Sequence, residues 1–316
     1  GLYVTLYNMS VTNGLDAIKN PSVLTFFVIV LTFTAGTAFI IWLGELITEK
    51  GLGNGVSLII FAGIVSRIPS AAYGIYNQFL GAGVNAKGLI FVVAIIVVAI
   101  AAITFVVFFS EAERRIPVQY SQKMQGRRMV GGQSSSIPLK VNTAGVIPVI
   151  FASSIMSFPV VIAQFFTVDY TSIGGRILMM LNSSSWFRPE QPVYSIGLVI
   201  YLVLIVVFAY FYTSITFNPL EVANNIKKQG GFIPGIRPGK PTSDYLNSIL
   251  NYIVFIGACG LIIVSIVPII VSGLFSISRL SFMGTSLIII VGVVLETIKS
   301  IESQMLVRNY KGFLND

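Results

Sequence analysis

The sequence predicts an all-α, polytopic membrane protein that crosses the bilayer seven times. Hydrophobic residues make up 55% of its 316 residues and charged residues only 10%, and the mean hydropathy is +0.86. Soluble chains carry about 25% charged residues, so this chain cannot cover a soluble surface, and most of its area must face lipid or apolar protein. Its basic residues are concentrated in a few hydrophilic intervals between long apolar runs, which is typical of loops that set membrane orientation.

The composition also excludes several kinds of chemistry. The chain has no histidine and a single cysteine, Cys259, which lies in an apolar run. An intrachain disulfide, a histidine/cysteine metal site and a histidine general base are therefore ruled out. No catalytic constellation is evident, so we expect neither an enzyme nor a cofactor or metal. The apolar runs hold almost no ionisable residues, which argues against an ion-coupled transporter.

The N-terminal part, residues 1–88, contains two predicted spans. Residues 24–48 are long enough for a hydrocarbon core of about 30 Å, which takes about 20 residues. The glycine-rich stretch 51–55 lacks the Lys-Ser/Thr of a phosphate loop and is interpreted as a helix-to-helix turn. The next span, 56–76, is interrupted by an arginine and a proline, as in helices that pack among others or line a cavity. A third, uninterrupted span follows at 89–110.

The longest hydrophilic interval, 111–142, is predicted to be a basic cytoplasmic loop. Its basic residues are Arg114, Arg115, Lys123, Arg127, Arg128 and Lys140. The C-terminal part then covers 143–316. We predict its spans at 144–166, 193–216, 252–275 and 282–298, with a second cytoplasmic loop at 217–243. The first of these spans contains two prolines, so we expect a distorted helix that faces protein or water.

The second cytoplasmic loop has recognisable local signals. An Asn-Pro pair at 218–219 predicts the start of a short polar helix. The Gly- and Pro-rich stretch 230–242 predicts a stiff turn that presents Arg237. Ser243 and Asp244 are interpreted as the cap of the next span.

The distribution of charge predicts the orientation. Of the 20 basic residues, fourteen fall on the side that holds the two large loops and six on the other. The first side is therefore cytoplasmic. An odd number of spans places the N-terminus outside. Because the sequence also begins with glycine and not methionine, we expect further helices upstream of it.

The basic loops have two interpretations from composition alone. They can simply set topology and attract anionic lipid, at about 1 kcal/mol per basic residue. Alternatively, arginines held in Gly/Pro turns can recognise phosphate or carboxylate on a ribosomal or motor surface, since the guanidinium fork suits both groups. At this level a small-molecule secondary transporter with broken helices and a structural membrane scaffold also remain open.

Several long motifs closely resemble those of the bacterial SecY family, the channel subunit of the Sec protein translocon. They occur in order as GLGNGVSLIIFAGI (51–64), IPLKVNTAGVIPVIFASSI (137–155), NPLEVANNIKK (218–228), GGFIPGIRPGKPT (230–242) and GTSLIIIVGVV (284–294). The resemblance covers essentially the whole chain and is to Gram-positive members. It implies helices four to ten of a ten-helix fold with two pseudo-symmetric halves, so the family's first three helices and plug are not in this sequence.

The resemblance also implies a function and a set of residues. The family passes unfolded polypeptides across the bacterial cytoplasmic membrane and releases transmembrane segments sideways into lipid, through a gate that includes the spans 144–166 and 193–216. Its pore ring matches Ile60, Ile150 and Ile289. Its ribosome and motor contacts match Arg127, Arg128 and Arg237, with Arg114, Arg115 and Lys140 alongside. The implied partners are the SecE and SecG subunits, the SecA motor, the ribosome, signal peptides, nascent chains and membrane lipid.

Overall fold

Eleven stretches and positions of the chain are described by the structure, which is a computed structural model. They are residues 22–51, 53–81, 86–120, 123–125, 128–130, 134–163, 166, 169, 172–186, 192–275 and 283–312. The helices are α1 (Val23–Lys50), α2 (Gly55–Val65), α3 (Ile68–Phe79), α4 (Ala86–Glu111), α5 (Ile147–Ala163), α6 (Ile173–Leu181), α7 (Ser195–Thr216), α8 (Pro219–Lys228), α9 (Lys240–Phe275) and α10 (Met283–Gly312). The strands are β1 (Glu113–Tyr120), β2 (Lys123–Gln125), β3 (Arg128–Val130), β4 (Ser134–Lys140) and β5 (Gly231–Phe232).

Five helical stretches in the described part of the chain are long and apolar enough to cross a membrane. They are Val23–Lys50, Gly55–Phe79, Gly88–Glu111, Ser195–Lys228 and Lys240–Val271, and Ile147–Ala163 is a shorter apolar helix. The stretch Lys240–Val271 buries more than half of its apolar window inside the protein, whereas Val23–Lys50 buries none of its own. A helix with an apolar surface all round needs an apolar environment, so the exposed faces fit a lipid or apolar protein surrounding.

The glycine-rich turn between α1 and α2 allows these two helices to approach closely. A Cβ atom on Gly55 would overlap the carbonyl oxygen of Gly44, so only glycine fits there. The backbone N–H of Gly55 donates a hydrogen bond to the hydroxyl of Thr48, at 2.8 Å. Asn54 caps α2 by accepting a hydrogen bond from the backbone N–H of Ser57. The interpretation of this stretch as a helix-to-helix turn is therefore confirmed.

The main apolar core lies where α4, α5, α7, α9 and α10 meet. Its fully buried members include Val106, Val149, Ile205 and Leu261, which come from four of these helices. Close packing is again set by glycine, because a Cβ on Gly260 would overlap the ring of Phe109. Helices α4 and α9 therefore pack against each other directly in the middle of the molecule.

The first loop that is predicted to be cytoplasmic contains a β-sheet that the sequence analysis did not predict. Strand β1 pairs antiparallel with β4, with Ile116 opposite Ile137, and also with β5 of the second loop. Along β1 the side chains of Ile116 and Val118 are buried, while Pro117 and Gln119 between them are exposed. This period of two is the pattern of a half-buried strand. The sheet is an addition to the helical, polytopic fold class.

Two local features differ from the sequence interpretation. A short helix, α6, lies between α5 and α7, where the sequence analysis predicted none, and Ser172 caps it. The predicted cap at Ser243 and Asp244 is wrong, because α9 begins at Lys240 and both residues lie inside its first turns. The helix can begin there because Pro241, its second residue, is tolerated in a first turn, where its missing N–H would have no hydrogen-bond partner.

Proline positions in α5 also differ from the expectation of two interior prolines. Pro148 is the second residue of α5 and therefore lies in its first turn, where proline is tolerated. Only Pro159 lies inside the helix. The distortion expected from proline is therefore confined to the second half of α5.

Candidate docking face and channel positions

The two loops that are predicted to be cytoplasmic form one structural unit. Strand β5 of the second loop pairs with the end of β1 in the first, with Gln119 opposite Phe232 and Tyr120 opposite Gly231. The phenol hydroxyl of Tyr120 donates a hydrogen bond to the side-chain oxygen of Gln229, at 3.4 Å. A Cβ on Gly231 would approach the Tyr120 ring to 2.9 Å, so the two loops are in close contact at this point.

A small apolar core holds this unit together, and we call it the cytoplasmic core. Its buried members come from β1, β4, α8, the chain after β5, and α9. They are Ile116, Val118, Leu139, Ala223, Ile226, Ile233, Leu246 and Ile253. Burial of an isoleucine, valine or leucine side chain stabilises by about 1.5–3 kcal/mol, so the cluster stabilises the packing of β1 and β4 against α8 and α9.

The predicted docking residues of the first loop lie on the sheet. Arg114 and Arg115 are exposed on β1, and Lys140 is exposed at the end of β4, opposite Glu113 in the register. The Nε atom of Arg115 lies 3.6 Å from a carboxylate oxygen of Glu113, but the arginine side chain is 74% exposed. Exposed pairs of this kind contribute little to stability, so the guanidinium is available to a partner.

The remaining docking residues differ in what the structure describes. Arg127 lies outside the described residues, and Arg128 is described only as a backbone position of β3, which pairs with β2. Arg237 is well placed: its side chain is exposed in the turn between β5 and α9. Gly235 and Gly239 flank it with φ angles of +83° and +105°, which glycine adopts readily and other residues rarely do.

Helix α8, in the second loop, is capped as the sequence predicts. The side-chain oxygen of Asn218 accepts hydrogen bonds from the backbone N–H groups of Leu220 and Glu221, and Pro219 is the first helical residue. Lys227 and Lys228 lie exposed in the last turn of α8, where positive charge is favourable. They add basic charge to the second loop.

One ion pair joins the end of α4 to the middle of α10 and was not predicted. The ammonium group of Lys299 on α10 lies 3.3 Å from the carboxylate of Glu111, the last residue of α4. Both side chains are about half exposed, so the pair is worth little energy. No local sequence signal joins two residues this far apart in the chain, which is why sequence reasoning missed it.

The three predicted pore-ring positions lie on three different helices. Ile60 on α2 and Ile150 on α5 are exposed, and Ile289 on α10 is half-buried. Their neighbours Val149 and Ile288 belong to the main apolar core. Because successive helical residues point about 100° apart, Ile150 and Ile289 lie beside that core and not inside it. Helix α2 packs against α10. Convergence of the three isoleucines stays a prediction.

The two spans assigned to the gate are packed together. Helices α5 and α7 are neighbours, and the rings of Phe151 and Phe208 stack with centroids 5.6 Å apart. Near the start of α7, the indole of Trp186 donates a hydrogen bond to the carbonyl of Met180 and lies 4.8 Å from the ring of Tyr201.

Among the residues that the structure describes, no group of three or more acidic, histidine or cysteine side chains is arranged to hold a metal ion.

Comparison with known proteins finds relatives along nearly the whole chain. A family model described as SecY matches residues 2–298. The protein translocase subunits SecY of Streptomyces galbus and Mycobacterium bovis are 47% and 46% identical over 307 and 308 residues. Each alignment covers 95% of this chain and 66% of the relative, so the chain spans slightly less than two thirds of the length of these relatives.

Solved structures agree at the level of the fold. A SecY protein whose plug domain stabilises the closed translocation channel aligns with a TM-score of 0.64 and 20% identity, over 96% of this chain and 71% of that one. A protein-conducting channel aligns with a TM-score of 0.62 and 19% identity, over 96% and 70%. At these identities the likeness supports the fold alone, and it confirms the predicted polytopic, channel-type fold class.

Proposed function

Because this chain belongs to the SecY family, as its motifs predict, we propose that it serves in the protein-conducting channel of a bacterial Sec translocon. The observation that carries the proposal is the family match over residues 2–298. The channel passes unfolded polypeptides across the cytoplasmic membrane and releases transmembrane segments laterally into lipid. It performs no covalent chemistry itself, and a partner supplies the driving force.

The arrangement of the helices supports this role. The chain is a multi-pass membrane protein of a channel family, with several apolar helices that pack around a common core. The neighbouring pair α5 and α7 supplies one side of the lateral gate. Ile60, Ile150 and Ile289 supply apolar side chains to the constriction, which stays closed to ions because water is unfavourable in a narrow apolar gap.

The cytoplasmic unit supports docking of large partners. Arg114, Arg115, Lys140 and Arg237 are exposed on an ordered sheet and turn, and Arg127 and Arg128 belong to the same loop. Arginine binds carboxylate and phosphate through paired hydrogen bonds, which suits the SecA motor and the ribosome. SecE and SecG complete the membrane complex, and signal peptides and nascent chains are the substrates.

Depletion of the full-length protein tests the proposed function. In the bacterium that makes it, we expect secreted proteins to accumulate in the cytoplasm with their signal sequences attached, and new membrane proteins to remain uninserted. Re-expression of the wild-type gene is the control and restores both. Normal export together with the loss of uptake of one solute would identify a small-molecule transporter and contradict the proposal. Normal export with no transport defect would identify a scaffold.

A further inference from the structure

The turn that carries Arg237 is tied to the start of α9 by a buried threonine. The hydroxyl of Thr242 donates a hydrogen bond to the backbone carbonyl of Arg237, at 2.9 Å. Thr242 is only 2% exposed, although threonine is a polar residue. A buried hydroxyl needs a partner, and here the partner is the peptide group of the exposed arginine itself.

Two glycines add freedom to a turn that its prolines otherwise stiffen. Gly235 and Gly239, two residues to either side of Arg237, both have positive φ angles, and glycine is the residue that varies these angles most freely. Two backbone hydrogen bonds close the turn at its ends, from Ile236 N–H to the carbonyl of Ile233 and from Ser243 N–H to the carbonyl of Gly239. Neither of them holds the peptide group of Arg237 directly.

The start of α9, to which Thr242 belongs, is held firmly by the cytoplasmic core. Thr242 lies in the first turn of α9, and Leu246, one turn later on the same face of the helix, is fully buried in the cytoplasmic core. Ile233, just before the turn, is buried in the same cluster. The turn is therefore held at both ends, and the Thr242 hydroxyl joins its middle to the rigid helix.

We propose that Thr242 is a positioning residue that fixes the backbone of Arg237 so that its guanidinium is pre-organised for a carboxylate on an acidic protein partner. The inference rests on the docking role in the proposed function. A side chain whose backbone is already fixed loses less conformational freedom when it binds, which increases affinity without any new contact. Thr242 itself is buried and touches no partner.

The charge pattern favours an acidic protein surface over RNA as the occupant. Arg237 stands among uncharged turn residues, Pro234, Gly235, Ile236 and Pro238, and the next basic residue is Lys240. One guanidinium can bind one carboxylate through two hydrogen bonds. Binding to RNA instead depends on many phosphate contacts and is distributed over several basic residues.

A set of matched variants in the complete translocon tests the proposal. Thr242→Val keeps the shape and removes the hydroxyl, and Thr242→Ser keeps the hydroxyl. Thr213→Val is the control, because Thr213 is also 2% exposed and its hydroxyl bonds only to the Ala209 carbonyl within its own helix. The probes are the purified SecA motor, as the acidic protein partner, and salt-washed ribosomes, as the RNA surface. Both are titrated onto reconstituted complexes.

We expect Thr242→Val to weaken SecA binding about two- to tenfold, the range of one net hydrogen bond, with Thr242→Ser and Thr213→Val close to wild type. In an Arg237→Ala background, Thr242→Val should have no further effect on binding, because Thr242 acts through that arginine. A purely structural role would instead lower the midpoint of thermal unfolding and weaken binding in both backgrounds.

Three results would overturn the inference. The first is an additional loss of binding from Thr242→Val when Arg237 is already alanine. The second is an equal loss from Thr213→Val. The third is a loss confined to ribosome binding, which would make RNA the occupant. If Arg237→Ala itself left SecA binding unchanged, the docking role of this turn would be wrong, while the depletion experiment would still decide the channel function separately.

Discussion

At the scale of single residues, glycine decides where segments meet, and Gly197 is the sharpest case. A Cβ at this position would overlap the carbonyl oxygen of Met180 and lie 2.7 Å from the indole nitrogen of Trp186. The same carbonyl accepts the hydrogen bond of that indole, at 2.8 Å. The start of α7 therefore packs against the end of α6 only because residue 197 has no side chain.

We predict that Gly197→Ala destabilises the protein by about 1–3 kcal/mol, the usual cost of an overpacked site. Thermal unfolding of the purified protein in detergent measures the change. Gly174→Ala is the control, because the nearest atom to a Cβ there is the Ser172 hydroxyl oxygen at 3.9 Å. Alanine favours a helix by about 1 kcal/mol over glycine, so the control should be neutral or stabilising. Equal losses from both variants would contradict the packing argument.

Residues were predictable from sequence where their role is local. Asn218 and Pro219 start a helix through contacts within four residues, and they do so in the structure. The roles of Gly197 and Thr242 depend on atoms that only the folded chain brings near. Residue types alone cannot reveal such contacts, because a glycine or threonine has many ordinary uses.

At the scale of elements, the sheet shows how one sequence signal can hide another. The stretch 113–120 alternates as a strand should in its second half, with Ile116 and Val118 buried. The charged residues in this stretch favoured the interpretation as a loop. Only two apolar residues alternate in it, which is too short a pattern to predict a strand. The partners of β1 lie in 134–140 and 231–232, and the register between them is set by packing and not by any local motif.

Both loops share the cytoplasmic core. A substitution that destabilises the core in the first loop should therefore also destabilise the second loop. We predict that Val118→Asp, which buries a charge in an apolar cluster, speeds tryptic cleavage after the exposed residues Lys227 and Lys228 in the second loop. Limited proteolysis of membranes, followed by mass spectrometry, measures the rate. Gln119→Asp is the control, since Gln119 is adjacent and exposed. If Val118→Asp increased cleavage only within 111–142, the two loops would be independent.

At the scale of the whole molecule, the helical, polytopic class was predictable because runs of about 20 apolar residues have few other uses. The convergence of side chains from different helices was not, because each pore isoleucine is one among many in an apolar run. Ile150 and Ile289 follow core residues along their helices, and their convergence with Ile60 stays a prediction.

We predict that Ile150→Asn and Ile289→Asn increase ion leak through the complete, resting translocon. A polar side chain wets an apolar constriction, and the loss of apolar packing, about 1–3 kcal/mol, shifts the channel about 5- to 150-fold toward the open state. Conductance in planar bilayers measures the leak. Ile155→Asn is the control, because Ile155 is exposed on the same helix, five residues further on. Equal leak from Ile155→Asn would show that the effect is not specific to the ring.

The unusual extent of α9 has a mechanical consequence. Its 36 residues form one helix from Lys240 to Phe275, with a single interior proline at Pro268. At 1.5 Å per residue the helix is about 54 Å long, whereas the hydrocarbon core is about 30 Å thick. The stiff helix α9 therefore projects from the bilayer, and the cytoplasmic core packs against its N-terminal end. A tilt of this helix by about 10° would move its tip by about 4 Å, because roughly 24 Å of its length lies outside the hydrocarbon core. A force applied at the tip would therefore be transmitted to the part of the helix in the bilayer without bending the helix.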